Sequence, residues 1–155
     1  MANNAYEYAL NLLSARAYTA RNLRRKLVQK EFDADDVEAV MERLVASRLV
    51  DDARFASEFA RQKLTIGGSS VRRVKQDLMR RGLSAENIRA AIEQVTDEES
   101  VDISKSIDAA ARKKLSSIGD VEREVARRRL FGFLARRGFE LADIRSAVER
   151  ALADN

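Results

Sequence analysis

Arginines and lysines at fixed intervals are the residues of this chain whose type and spacing could do chemistry. That chemistry is the holding of phosphate or carboxylate oxygens by fixed cations. Between Thr19 and Lys30 stand Arg21, Arg24, Arg25, Lys26 and Lys30, with no acid among them. Between Ser70 and Arg81 come Arg72, Arg73, Lys75, Arg80 and Arg81, against Asp77 alone. Between Asp120 and Arg137 come Arg123, Arg127, Arg128, Arg129, Arg136 and Arg137. Acids collect elsewhere: residues 31–60 hold nine of them against three basic residues, a local charge of −6. The formal net charge of +4 therefore conceals strong segregation.

Other chemistries find no residues to carry them. Histidine and cysteine are both absent, which removes disulfides, thiol nucleophiles, the usual zinc sets and the commonest general base. Asp35 with Asp36 and Asp51 with Asp52 are carboxylate pairs, but adjacent helix residues point about 100° apart. Both pairs stand at expected helix starts, where capping explains them. The run IGGSS at Ile66–Ser70 lacks the G-x-x-x-x-G-K-[ST] spacing that cradles phosphate, and it reads as a flexible joint between repeats. Tyr6, Tyr8, Phe55, Phe59, Phe131, Phe133 and Phe139 recur at helical spacing and are expected in the core, with Tyr18 at a helix junction. No nucleophile with a base and no metal-ligand cluster can be assembled, so neither catalysis nor a metal nor any other cofactor is expected.

The elements that must position the cations are written as a repeat. RRGLSAENIRAAIE begins at Arg80, and RRGFELADIRSAVE begins at Arg136 with seven of fourteen letters unchanged. A third copy lies upstream. Leu27, Leu78 and Leu134 are followed four residues on by Glu31, Gly82 and Gly138, then by Phe32, Leu83 and Phe139. Val37, Ile88 and Ile144 come next, then Val40, Ala91 and Ala147, then Met41, Ile92 and Val148. Each copy reads as a helix, a break and a second helix. Gly82 and Gly138 suit a left-handed residue at a helix end, whereas Glu31 predicts a first break of different geometry. Asp33 and Ser84 then cap the following helix, and Glu140 is a weaker cap in the third copy. A further helix precedes each pair, in AYEYALNLLSA, DDARFASEFARQKL and EESVDISKSIDAAARKKL. Asp51 and Asp52 open the second of these as cap and first-turn acids.

The chain is thus expected to be all-α, with three tandem three-helix repeats stacked into an elongated, curved, solenoid-like body. The absence of proline, only 6 glycines and a 45% hydrophobic composition agree with a helical protein that buries a real core. No basic leader followed by an apolar run opens the chain, and no apolar run reaches bilayer length. A soluble, cytoplasmic protein without a membrane partner is expected.

In that register Arg21 corresponds to Arg72 and Arg128, and Lys30 to Arg81 and Arg137. Leu23 and Leu27 fix the core side of the first middle helix, so Arg21 and Arg25 point away from it. An arginine-rich helix face is ordinarily just solvated. Three such faces in register suit a charged polymer better than one small anion.

The runs RLVDDARFASEFARQK, RRGLSAENIRAAIE and RRRLFGFLARRGFELADIR resemble the RecX family, bacterial regulators of the RecA recombinase. The resemblance covers about residues 8–150. Its most specific marks are D-D-x-R-F-A at Asp51–Ala56 and the R-R-G-[FL] break, while Glu31 and Val50 depart from the pattern. It implies one RecX-like domain over 1–155, built of repeats at 4–48, 49–96 and 97–152. It implies a monomer that binds the RecA nucleoprotein filament, and single- and double-stranded DNA without strong sequence preference. It also implies restraint of RecA's ATPase, strand-exchange and co-protease activities in DNA repair and the SOS response. On this reading the filament- and DNA-binding residues are Arg21, Arg24, Arg25, Lys26, Arg72, Arg73, Lys75, Arg80, Arg81, Arg127, Arg128, Arg129, Arg136 and Arg137. The alternatives are a helix-turn-helix module that reads one DNA sequence, and a scaffold whose basic face meets an acidic protein.

Overall fold

Apolar side chains three and four residues apart, with good helix formers between them, leave this chain little choice but α-helix. The computed structural model describes residues 4–66, 68–98 and 103–155. Among these, nine α-helices and no strand are found. In the first repeat α1 spans Asn4–Ala15, α2 Ala20–Gln29 and α3 Ala34–Ala46. In the second, α4 spans Asp52–Arg61, α5 Val71–Arg80 and α6 Ala85–Glu98. In the third, α7 spans Ile103–Ile118, α8 Arg123–Arg136 and α9 Leu141–Ala153. No helix among the described residues is long and apolar enough to cross a membrane. The start expected for the third repeat's first helix, at Glu99–Asp102, lies outside the described residues.

Two compact units are formed, residues 1–58 with 78–91 and residues 59–77 with 92–155. In the first, α1, α2 and α3 pack around Ala9, Leu23, Leu27, Val37, Met41 and Leu44, each almost wholly buried. In the second, α7, α8 and α9 pack around Ile107, Ala111, Leu130, Leu134, Ile144 and Val148. The repeat's anchor leucines, Leu27, Leu78 and Leu134, are all completely buried. Truncating any of them to alanine should cost about 2–5 kcal/mol.

Four expectations are corrected by the fold. The first break has the same left-handed geometry as the others, with φ of 64° at Glu31 against 83° at Gly82 and 89° at Gly138. The segment from Gln62 to Ile66 does not continue α4 but makes a π-helical turn. Beyond it, Ile66–Ser70 lies within the second repeat rather than between repeats, and Ser69 and Ser70 are buried at 8% exposure. The aromatic side chains also sit nearer the surface than their spacing implies. Phe139 alone of the set is buried, and the others are half-exposed. Their outer faces carry cations instead: Arg43 over Tyr6 at 4.0 Å, Arg16 over Tyr18 at 4.7 Å, Lys30 over Tyr8 at 5.8 Å and Lys63 over Phe59 at 5.6 Å.

Candidate nucleic-acid interface

A helix begins with backbone N–H groups that have no partner inside it, and what satisfies them decides where its first side chains stand. At the start of α2 the Thr19 hydroxyl, fully buried, accepts from Asn22 N (3.2 Å) and donates to the carbonyl of Arg81 (2.9 Å). The Asp52 carboxylate accepts from Ala20 N at 2.8 Å. Asp51 alone caps α4, through Arg54 N at 3.0 Å. The second aspartate of the pair therefore holds a different helix from the one it opens. With α2 fixed in this way, the stem of Arg21 lies across Gly82, where a Cβ would stand 2.1 Å from Arg21 Cδ.

The second unit repeats the joint. Ser70, 51 residues beyond Thr19, accepts from Arg73 N (3.1 Å) and donates to the carbonyl of Gly138 (2.8 Å), while its own N–H reaches the carbonyl of Arg137 (3.3 Å). Gly138 lies under Arg73, and a Cβ there would stand 2.9 Å from Arg73 Cβ. In each unit, then, a hydroxyl capping one middle helix grips the break of the next repeat. The break's glycine is the clearance that lets the two backbones approach. Each joint gathers basic residues from two repeats: Arg21 with Arg80 and Arg81 in the first unit, Arg72 and Arg73 with Arg136 and Arg137 in the second.

The first and third repeats depart from the pattern. At the first break no capping hydroxyl from another repeat is found among the described residues, and the Glu31 side chain is exposed. In the third repeat the position matching Ser70 is Ala126, inside α8, because α8 begins farther upstream, after Glu122. Glu140 makes no capping bond to α9 and instead pairs with Arg72 at 3.0 Å.

Ion pairing sorts the fourteen predicted residues. Arg24 pairs with Glu38 of α3 (3.0 Å), and Arg73 with Asp77 one turn on (3.5 Å). Arg127 of α8 is held by Glu124 (2.6 Å) and by both oxygens of Glu149 on α9 (2.8 and 3.2 Å). These bonds raise the Arg127 pKa and hold the Glu149 carboxyl below its usual range. Arg137 lies over the Phe133 ring at 5.0 Å, and Arg81 is half-buried. Arg80 ends α5 and is exposed. Arg21, Arg25, Lys75, Arg128, Arg129 and Arg136 are exposed and Lys26 is half-exposed, and none of the seven has an acid partner among the described residues. The threefold register of Arg21, Arg72 and Arg128 is thus unequal in charge, since Arg72 is neutralised by Glu140. Arg21 and Arg72 also occupy first helical turns, where a cation opposes the helix dipole, whereas Arg128 lies mid-helix.

Reading for cations alone missed the positioning groups Thr19, Ser70 and Asp52. A signal for two of them was present: Thr19 and Ser70 are separated by the same 51 residues as Leu27 and Leu78.

Comparison with known proteins places this arrangement. Family models described as the first, second and third three-helix domains of RecX match residues 5–44, 51–92 and 104–148. A regulatory protein RecX from Amycolatopsis mediterranei (strain U-32) is 35% identical over 135 residues, 87% of this chain and 75% of that protein. Another, from Trichlorobacter lovleyi, is 32% identical over 151 residues and 96% of each chain. A crystal structure of RecX from Lactobacillus salivarius has the same fold, with a TM-score of 0.72 at 18% identity over 97% of this chain and 96% of that one. With all three helical domains matched in order along its length, the chain belongs to the RecX family.

Proposed function

We propose that this protein restrains the RecA recombinase by binding the RecA–DNA filament, and that it also binds single- and double-stranded DNA with little sequence preference. The observation that carries the proposal is the set of seven predicted cations on the middle helices that have no acid partner among the described residues, in a chain of the RecX family. Arg21, Arg25 and Lys26 form one group in the first unit. Lys75, Arg128, Arg129 and Arg136 belong to the second. Guanidinium and ammonium groups left without internal carboxylates keep their capacity for phosphate oxygens or for acids of a protein filament. Contacts of this kind supply affinity and register, not sequence readout. Arg24, Arg72, Arg73 and Arg127 are already shared with internal acids, so each contributes less. Restraint of ATPase, strand-exchange and co-protease activity in DNA repair and the SOS response follows from occupancy of the filament.

The test is the steady-state ATPase rate of RecA on single-stranded DNA, with this protein titrated in and a DNA-excess control. The expected result is a fall in rate that added DNA does not relieve. Replacing Arg21, Arg25 and Lys26 by glutamate should remove the effect while leaving the helical circular dichroism signal intact. Full inhibition by the folded triple variant would overturn the assignment of this face. No inhibition by the unmodified protein would overturn the regulatory reading itself.

A further inference from the structure

Within the second unit, a groove of about 380 Å³ separates the π-helical turn from α7 and the body of α8. Its floor is small and aliphatic, with Ala109 and Ala110 of α7 beside Gly68. Ile66 stands on one bank, 81% exposed, the most exposed of the large apolar side chains in the described structure. Ile66 ends the π-helical turn, and such turns concentrate at functional sites.

The polar rim is one-sided. Lys113, Lys114 and Arg137 border the groove, and no carboxylate among the described residues lines it. Lys113 has no acid partner among the described residues, while Lys114 and Arg137 stand over the Phe133 ring at 5.4 and 5.0 Å. The three rim hydroxyls already donate to main-chain carbonyls: Thr65 to Arg61, Ser106 to Leu64 and Ser117 to Lys114. They can only accept further bonds. A ligand that suits this site brings an apolar side chain for the floor, carboxylates for the cations and N–H donors for the hydroxyl oxygens.

We propose that the groove is a docking site for an acidic peptide segment of a protein partner, with one leucine-sized side chain seated between Ile66 and Ala109–Ala110 and flanking carboxylates on Lys113 and Lys114. A nucleic acid fits it less well. Its phosphates would suit the cations, but the aliphatic floor offers no ring on which to stack a base, and the Phe133 ring is already engaged by two cations. The inference does not rest on the DNA-binding face, because none of Ile66, Lys113 and Lys114 belongs to it.

The test uses the full chain and a fluorescein-labelled decapeptide of alternating aspartate and glutamate with a single central leucine, followed by anisotropy. A second peptide carries serine in place of leucine, and an unlabelled dodecathymidylate serves as competitor. The leucine peptide should bind, the serine peptide should bind at least tenfold more weakly, and the oligonucleotide should not displace the leucine peptide. Ile66→Ser and the double variant Lys113→Glu with Lys114→Glu should each weaken binding at least tenfold while retaining the helical signal. Because Ile66, Lys113 and Lys114 are all at the surface, these variants are expected to fold. Equal binding of the two peptides would reduce the site to plain charge attraction and overturn the proposal. So would displacement by the oligonucleotide, unchanged binding by the variants, or no binding at millimolar peptide. Each of these results leaves the RecA ATPase test untouched, so failure here and failure of the regulatory reading are separable.

Discussion

Gly138 holds φ at 89°, and a Cβ added to it would stand 2.9 Å from Arg73 Cβ and 2.8 Å from Ser70 Oγ. Alanine at this position would suffer twice, from the left-handed backbone (about 1–2 kcal/mol) and from overpacking against a neighbouring helix (about 1–3 kcal/mol). Gly138→Ala should therefore destabilise the protein by about 2–5 kcal/mol, read as a lower thermal midpoint and a lower urea midpoint. Glu31 shares the left-handed backbone but not the crowding. Glu31→Gly should raise stability by about 0.5–1 kcal/mol, the relief of left-handed strain less the extra chain entropy of glycine. A midpoint for Glu31→Gly no higher than that of the unmodified protein would show that the strain is compensated. At this scale the sequence is half legible. The need for a left-handed residue follows from local spacing, since a glycine four residues after a buried leucine ends a helix. The close approach does not, because the atoms that crowd Gly82 belong to Arg21 and those that crowd Gly138 belong to Ser70 and Arg73. For the same reason Glu31 pointed wrongly to a different geometry. The Glu31 side chain is exposed, with no crowding from another repeat among the described residues, and local sequence does not record neighbours.

Helices are held at their ends here by single polar groups, which makes the element scale testable by small substitutions. Thr19 and Ser70 each cap a middle helix and bond the following break, so losing the hydroxyl removes a cap and leaves a part-buried carbonyl without its donor. Thr19→Val and Ser70→Ala should each cost about 1–3 kcal/mol, whereas Thr19→Ser should cost less than half as much as Thr19→Val. Equal losses for the serine and valine variants in denaturant titration would assign the effect to packing of the threonine methyl instead. The pair that ties α8 to α9 is testable by pH. Glu149 is held below the usual carboxylate range, chiefly by its hydrogen bonds to Arg127. Its folded pKa is therefore below its unfolded pKa. Its contribution is complete above the ordinary carboxylate value and is lost as pH falls through the lower folded value. Glu149→Gln should flatten that acid limb of the midpoint–pH curve by slightly lowering the neutral side, by the small amount expected for an exposed pair, and leave the acid end nearly unchanged. Hydrophobic spacing made the helices themselves legible: the middle helix expected over 70–81 spans Val71–Arg80. Their edges were less so. α8 starts at Arg123 rather than Asp120, and Gln62–Ile66 turns as a π-helix, because five residues are too few for periodicity to separate an i, i+5 turn from an i, i+4 one.

Charge is the property of the whole molecule that its helices express only in part. The acids of residues 31–60 are largely consumed at home. Asp33 and Asp51 cap helices, Asp52 holds the start of α2, Glu38 takes Arg24 and Glu58 takes Arg54. The basic excess therefore outlasts folding: seven of the fourteen predicted cations have no acid partner among the described residues. Spacing made the threefold repetition legible at this scale. The division into two compact units was not, since residues 58–59, 77–78 and 91–92 carry neither glycine nor proline nor any change of composition. Which cations stay free was illegible too, because Glu140 and Glu149 reach Arg72 and Arg127 only once the third repeat has folded. Counterion release converts the count into a measurement. Each phosphate neutralised on a duplex contributes about 0.9 to the slope of log affinity against log salt. Replacing Arg21, Arg25 and Lys26 together by glutamine should lower that slope by up to about 2.7, and so should replacing Arg128, Arg129 and Arg136. Arg54→Gln with Arg150→Gln removes two cations already bound to Glu58 and Asp108, and should leave it unchanged. A slope that falls equally for the control would mean that net charge alone attracts the duplex. A slope that falls for only one triplet would confine duplex contact to that triplet's helix and leave the other for a protein partner.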